Sequence, residues 1–139
     1  MIVIDVTKAY KEVSFPVASF RGIAAFVCMK EKIRKADLSF VIVDDKTIRS
    51  INKRFLQHNY VTDVITFPLE QKGVNAEIYI NAQQMKRQAN ENGVTMKNEM
   101  TRLIVHGTLH AIGYQDTSTA TKRKMDSIQE RYVSELSLN

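Results

Sequence analysis

Val105-His106-Gly107-Thr108-Leu109-His110-Ala111-Ile112-Gly113-Tyr114-Gln115-Asp116 is the stretch around which the rest of the chain is organised. Read as a helix through about Ile112, it sets His106 and His110 one turn apart on one face, close enough for both imidazoles to reach one metal ion. Gly113 can take the left-handed conformation that ends a helix, so the chain turns there and Asp116 comes back towards the same point. Three protein ligands leave a fourth position for water, the arrangement of a catalytic rather than a structural zinc. A bare His-x-x-x-His is most simply a pair of polar residues on a half-buried helix. The glycine stop and the acid after it are what favour a metal.

Upstream, Thr95 caps the histidine helix, and Glu99 and Arg102 fall on the same face as His106. Glu99 has two readings: it holds an imidazole N–H, as partners of metal-bound histidines do, or it merely pairs with Arg102 at the surface. Downstream, Thr117 or Ser118 starts a last helix whose Met125, Ile128, Tyr132 and Leu136 form one apolar stripe, read as core packing.

The N-terminal half alternates strands and helices. Ile2-Val3-Ile4-Asp5-Val6 is a first strand, Ser14 and Pro16 open a helix to about Arg34, and Leu38 to Val43 is a second strand, apolar enough to be covered on both faces. Asp44 or Asp45 caps a helix to about Leu56. Thr62 to Pro68 and Ala76 to Ile80, around the turn-like Gln71-Lys72-Gly73-Val74-Asn75, make a hairpin, and Asn81 caps a helix ending near Gly93. The order β-α-β-α-β-β-α-α-α implies an α+β (mixed α/β) fold: a single domain over residues 1–139, with a mixed four-stranded sheet flanked by helices and the metal site on a C-terminal helix and the loop after it.

At 139 residues the chain can bury a full core without disulfides or metal as staples. Its single cysteine, Cys28, sits in an apolar run and reads as a buried thiol. The N-terminus carries no positive leader, and there is no run of about 18 apolar residues to span a membrane, so the expectation is a cytoplasmic protein without membrane partners. A net charge of +5 and a pI near 9.4 favour a phosphate-bearing partner, although each basic cluster alone is a solvated helix face. A peptidase of the His-Glu-x-x-His kind carries a glutamate beside the first histidine, where this chain has Gly107. Nor is there a Walker loop, a dinucleotide fingerprint or a Gly-x-Ser-x-Gly elbow.

The segment HGTLHAIGYQDTSTATKRKM, residues 106–125, resembles the HGxLHLxGYxH signature of the YbeY family of bacterial endoribonucleases, including the family's methionine nine residues on, here Met125. Ile51-Asn52, Phe55 and Thr62-Asp63-Val64-Ile65-Thr66-Phe67-Pro68 are similar to that family's LNxxYRxxxxPTDVLSFP, Ala76-Glu77-Ile78 stands where it has Gly-Asp-Ile, and Glu99 matches an acid before its metal motif. The resemblance covers most of the chain from about residue 38. It implies a compact α/β domain and a zinc-dependent, single-strand-specific endoribonuclease. The expected work is maturation of ribosomal RNA, including the 3′ end of the small-subunit 16S rRNA, and ribosome quality control, with small-subunit rRNA as partner and no DNA. The expected chemistry is attack of a metal-activated water on a phosphodiester, with one Zn2+ per chain held by His106, His110 and the residue at 116.

Two positions depart from the family pattern. Asp116 replaces a third histidine, and its negative charge makes a bound water less acidic and suits manganese or magnesium better than histidine would. Leu56 replaces an arginine that would face the scissile phosphate; Arg49 and Lys53, on nearly the same helical face, are the candidates to supply that charge, with Glu99 as the further candidate catalytic residue. Loss of these two groups keeps a second reading open, a metal-bound ribosome-assembly factor that binds RNA without cutting it. A third, another metallohydrolase, is disfavoured by Gly107.

Overall fold

In the computed structural model, which describes residues 1–69 and 73–137, the chain runs β1 (Ile2–Lys8), α1 (Val17–Lys30), β2 (Ala36–Val43), α2 (Asp45–Leu56), β3 (Val64–Pro68), β4 (Val74–Asn81), α3 (Ala82–Glu91), α4 (Met96–Ile112) and α5 (Thr119–Ser137). Element order and class are those expected: α+β, with one mixed sheet of four strands.

The strands lie in the order β1-β2-β4-β3. β1, β2 and β4 are mutually parallel neighbours, and β3 returns antiparallel on β4, Val64 opposite Ile80 and Pro68 opposite Ala76. Pro68 is tolerated because β3 is an edge strand, where a missing N–H breaks no ladder bond. The hairpin is present, and β4 starts earlier than expected: Val74 and Asn75 already belong to it, paired with Ala36 and Asp37, while Gln71 and Lys72 lie outside the described residues.

Period-two alternation decides what each sheet face buries. Leu38, Phe40 and Ile42 of β2 with Ala76, Ile78 and Ile80 of β4 point into the main core, against Phe20, Ala24, Val27 and Cys28 of α1, Met100, Ile104 and Leu109 of α4, and Met125 and Tyr132 of α5. On the other face Ile48 and Ile51 of α2 cover Val41, Val43, Ile65, Phe67 and Tyr79. The second strand is thus covered on both sides, and the α5 stripe is core. Burial pushes the Cys28 thiol up to about 11, consistent with its role as an inert core residue.

Helix starts follow their caps. Asp44 Oδ1 accepts from Thr47 N, the Asn81 side chain from Gln83 and Gln84 N, and the Thr95 hydroxyl from Asn98 N. Ser118 Oγ accepts from Thr121 N ahead of α5. The exception is the end of α1, expected near Arg34 and found at Lys30. Lys32 takes a left-handed φ of 60° and Ile33 N–H closes on Cys28 O at 2.8 Å, reversing the chain in time for β2 to begin at Ala36. A further turn of helix would leave too little chain to reach the sheet.

α4 is the hub, packed against α1, α3, α5, β3 and β4. Where it crosses β4 there is no room for a side chain: a Cβ on Gly107 would sit 2.6 Å from Ile78 Cγ2. That close approach holds the C-terminal end of α4, with its two histidines, beside β3.

Candidate metal centre

α4 stops where the glycine predicts. Gly113 has φ 127°, a conformation that side chains rarely adopt, and its N–H bonds to Leu109 O and His110 O at 3.1 Å. The reversed chain delivers Asp116 Oδ2 to 3.3 Å from His110 Nε2 and 3.9 Å from His106 Nε2, and the two imidazoles stand 4.6 Å apart at 82°. All three donor atoms lie within 4.8 Å of one another. The structure thus brings together His106, His110 and Asp116.

The other nitrogen of each ring is committed. His106 Nδ1 lies 2.7 Å from Gln129 Oε1, and His110 Nδ1 lies 2.9 Å from the Tyr114 carbonyl oxygen. Both partners accept: a carbonyl has no proton to give, and Gln129 turns its Nε2 to Glu130 Oε2 at 3.1 Å, which aims its oxygen at His106. Each Nδ1 therefore donates, which leaves Nε2 as the ring atom free to give a metal its lone pair, on the side of the Asp116 carboxylate. Three potential ligand atoms facing one point are a set that could hold a cation. Bonds of about 2.0–2.1 Å in a tetrahedral site separate neighbouring ligands by roughly 3.4 Å, close to the spacings present.

Glu99 is buried and makes no contact with an imidazole. Its carboxylate accepts from Arg102 Nη1 at 2.8 Å and Gln88 Nε2 at 2.9 Å, so of the two readings of Glu99 the pairing with Arg102 is the one formed, in the interior rather than at the surface. Arg102 also grips Glu130 through Nε at 2.8 Å and Nη2 at 3.0 Å, and holds the Glu130 carboxyl below its ordinary value. Glu99 thereby reaches His106 through Arg102, Glu130 and Gln129. In the other direction Gln88 Nε2 also donates to Asp63 Oδ2 at 3.2 Å, tying the same network to the segment that enters β3. The loop after Gly113 is pinned from a third side, since the hydroxyls of Tyr114 and Tyr132 both donate to Glu31. That bond, aided by burial, raises the Tyr114 phenol to about 12.

The three donors open into a cleft that is also lined by Asn52, Leu56, His58, Tyr60, Asp63 and Thr66. Among the described residues no lysine or arginine lines it. Arg49 and Lys53 are exposed on α2 but stand outside the lining, and Arg49 Nε donates to Asn59 Oδ1 at 2.9 Å. Asn52 and Leu56 are the residues of that helix that face the cleft; Leu56 is 41% exposed, a cleft wall and not core. Gly107 faces β4, which explains in packing terms why no glutamate follows the first histidine. Sequence reading missed Gln129, His58 and Tyr60. The first is four residues from Met125, on the stripe side of α5, and carried a weak signal as a lone amide there; the other two carried none.

Comparison with known proteins agrees with this architecture. The family model described as Endoribonuclease YbeY matches residues 6–137. A protein named Endoribonuclease YbeY from Chloroherpeton thalassium is 34% identical over 134 residues, covering 96% of this chain and 94% of its own. One of the same name from Endomicrobium trichonymphae is 35% identical over 122 residues, 86% of each. The solution structure of TM1509 from Thermotoga maritima superposes with a TM-score of 0.66 at 25% identity, over 97% of this chain and 88% of that one. The chain belongs to the Endoribonuclease YbeY family.

Proposed function

We propose that this member of the Endoribonuclease YbeY family is a zinc-dependent endoribonuclease that cuts single-stranded RNA in the cytoplasm, acting on ribosomal RNA, including the 3′ end of the small-subunit RNA, and in ribosome quality control. The observation that carries the metal part is the His106, His110 and Asp116 cluster with both Nδ1 atoms engaged by acceptors. Two imidazole nitrogens favour zinc over magnesium or calcium, which prefer all-oxygen sites. When bound, the ion supplies a more acidic water and a positive charge for a phosphate oxygen.

The chain's own residues do the rest. Gln129 and the Tyr114 carbonyl hold the two imidazoles in tautomer and orientation, and Asp116 closes the set. Glu99 acts as the buried anchor of Arg102, a positioning residue. Lys53, exposed on α2 beside the cleft, is the candidate to meet the RNA backbone as it leaves, with Arg49 one turn earlier.

A second reading is favoured by one observation, the lack of a lining lysine or arginine among the described residues: a metal-bound assembly factor that holds RNA without cutting it. One assay separates them. Protein of defined zinc content is incubated with end-labelled single-stranded RNA beside His110→Ala and Asp116→Ala. The nuclease reading expects cutting by the parent chain and little by either variant, with all three equally folded by circular dichroism. Binding without cutting by zinc-loaded parent protein would leave the assembly-factor reading in its place.

A further inference from the structure

We propose that His58 and Tyr60 form a stacking platform for one unpaired nucleobase of the RNA at the mouth of the cleft, and that this platform gives the site its selection for single strands. The proposal rests on RNA being the substrate. His58 and Tyr60 line the same cleft as His106, His110 and Asp116. Their rings are stacked, centroids 5.2 Å apart and 28° from parallel, and Tyr60 is 53% exposed. An aromatic stack that leaves this much ring in water contributes little to the fold, but it offers a flat apolar face beside the proposed reacting centre. Among the described residues the lining holds no lysine or arginine for a phosphate, so, the proposed ion apart, affinity inside the cleft must come from contacts other than charge pairs. Base stacking on an aromatic side chain is one of the few such contacts that every nucleotide can make.

The loop is built to hold that face still. Gln57 takes a left-handed φ of 59° that turns the chain out of α2, and His58 N–H then bonds back to Asn52 O at 3.1 Å. The buried Asn52 donates from Nδ2 to Tyr60 O at 3.1 Å, and Arg49 holds the Asn59 side chain between them. Each of the three residues is thus tied to α2, so little freedom is lost when a base settles on the rings. In a duplex both faces of a base are already covered by its neighbours, whereas a base in a single strand has a face to give. Arg49, through its bond to Asn59, thus also orders the platform.

The chain has no tryptophan, so Tyr60→Trp introduces a single fluorophore at the platform. Its emission should be quenched by a short single-stranded oligoribonucleotide and not by the same sequence in a duplex. In cleavage assays Tyr60→Ala should raise KM on the order of tenfold, by the usual worth of one stacked base, while kcat changes far less, and Tyr60→Phe, which keeps the ring, should recover most of that loss. The RNA supplies a matching arm that alters no protein: an abasic site scanned along the substrate should reproduce the Tyr60→Ala loss at one position, with no further loss when the two are combined. An unchanged KM for Tyr60→Ala, equal losses at every abasic position, or additive losses would each overturn the platform. If the parent chain cuts no RNA, the nuclease reading fails separately, and quenching of the Tyr60→Trp variant by single-stranded RNA still decides whether the platform exists.

Discussion

Gly107→Ala tests the packing that places the candidate metal centre. The added Cβ would lie 2.6 Å from Ile78 Cγ2, closer than carbon atoms approach, and 3.5 Å from Val64 Cγ2, an ordinary contact. Ile78 is fully buried on β4, and the methyl in question is fixed at a β-branched carbon, so it cannot swing aside as the end of a long side chain would. Forcing a methyl into such a core costs about 1–3 kcal/mol, and removing a helical glycine returns about 1 kcal/mol. With the clash this short the upper part of the range applies, for a net loss of about 1–2 kcal/mol. Unfolding entropy of about 2.1 cal/mol/K per residue is roughly 0.3 kcal/mol/K over 139 residues, so the Tm should fall by roughly 3–7 °C. Thermal melts by circular dichroism read this directly. The decisive arm is the background: in Ile78→Ala the obstructing methyl is gone, and there Gly107→Ala should raise the Tm. A variant as stable as the parent, or the same penalty in both backgrounds, would refute the argument.

Gln129→Leu should weaken zinc binding about ten- to a hundredfold while the metal-free melt moves little, because it removes the acceptor that orients His106; unchanged affinity in a chelator competition would show that the 2.7 Å contact does not tune the site. Asp45, held by Arg87 at 2.6 Å and 2.9 Å and by Asn81, has its carboxyl below the ordinary value, so its contribution to stability is present above the unfolded value of about 3.9 and is lost as pH falls through the lower, folded one. The difference in urea midpoint between the parent and Asp45→Asn should therefore be largest near neutral pH and shrink in strong acid; a difference that does not change with pH would contradict it. Leu56→Arg should fold normally, since position 56 is 41% exposed, and should steepen the salt dependence of RNA binding by about 0.7 in log–log slope, one added phosphate contact; an unchanged slope would place residue 56 away from the RNA.

What the sequence disclosed was what local geometry decides. Asp44, Asn81 and Thr95 mark their helices because a cap needs only its own next three residues, and Gly113 brings Asp116 to the histidines because a short turn suffices. The fold class followed from the order of periodic segments. Hidden were the partners supplied from a distance. Gln129 meets His106 only because α5 packs along α4, and Glu99 joins Gln88 only because α3 lies beside the same helix. Helical spacing placed Arg49, Lys53 and Leu56 near one face, but which part of that face meets the cleft is set by the loop that folds back on Asn52 and by its bond to Tyr60, neither of which has a sequence signature. The early end of α1 was likewise decided by the short distance to β2.

The two departures from the family motif act in one direction. Asp116 in place of histidine adds a negative charge, and Leu56 in place of arginine removes a positive one, while Asp63 already contributes a carboxylate to the same lining. Without a cation such a lining repels a phosphodiester, in spite of a net charge of +5 on the chain, because among the described residues no lysine or arginine is part of it and charges farther than about 8 Å are largely screened at physiological salt. A divalent ion would bring the two aspartates and itself to about neutrality. Inside the cleft, attraction for RNA would then rest on the ion's own coordination and on contacts that carry no charge. This is the setting in which an exposed aromatic stack, rigidly held at the rim, matters most. It is also why Leu56→Arg and Tyr60→Ala should have separable effects: the first changes how affinity depends on salt, and the second changes affinity by the same factor at every salt concentration.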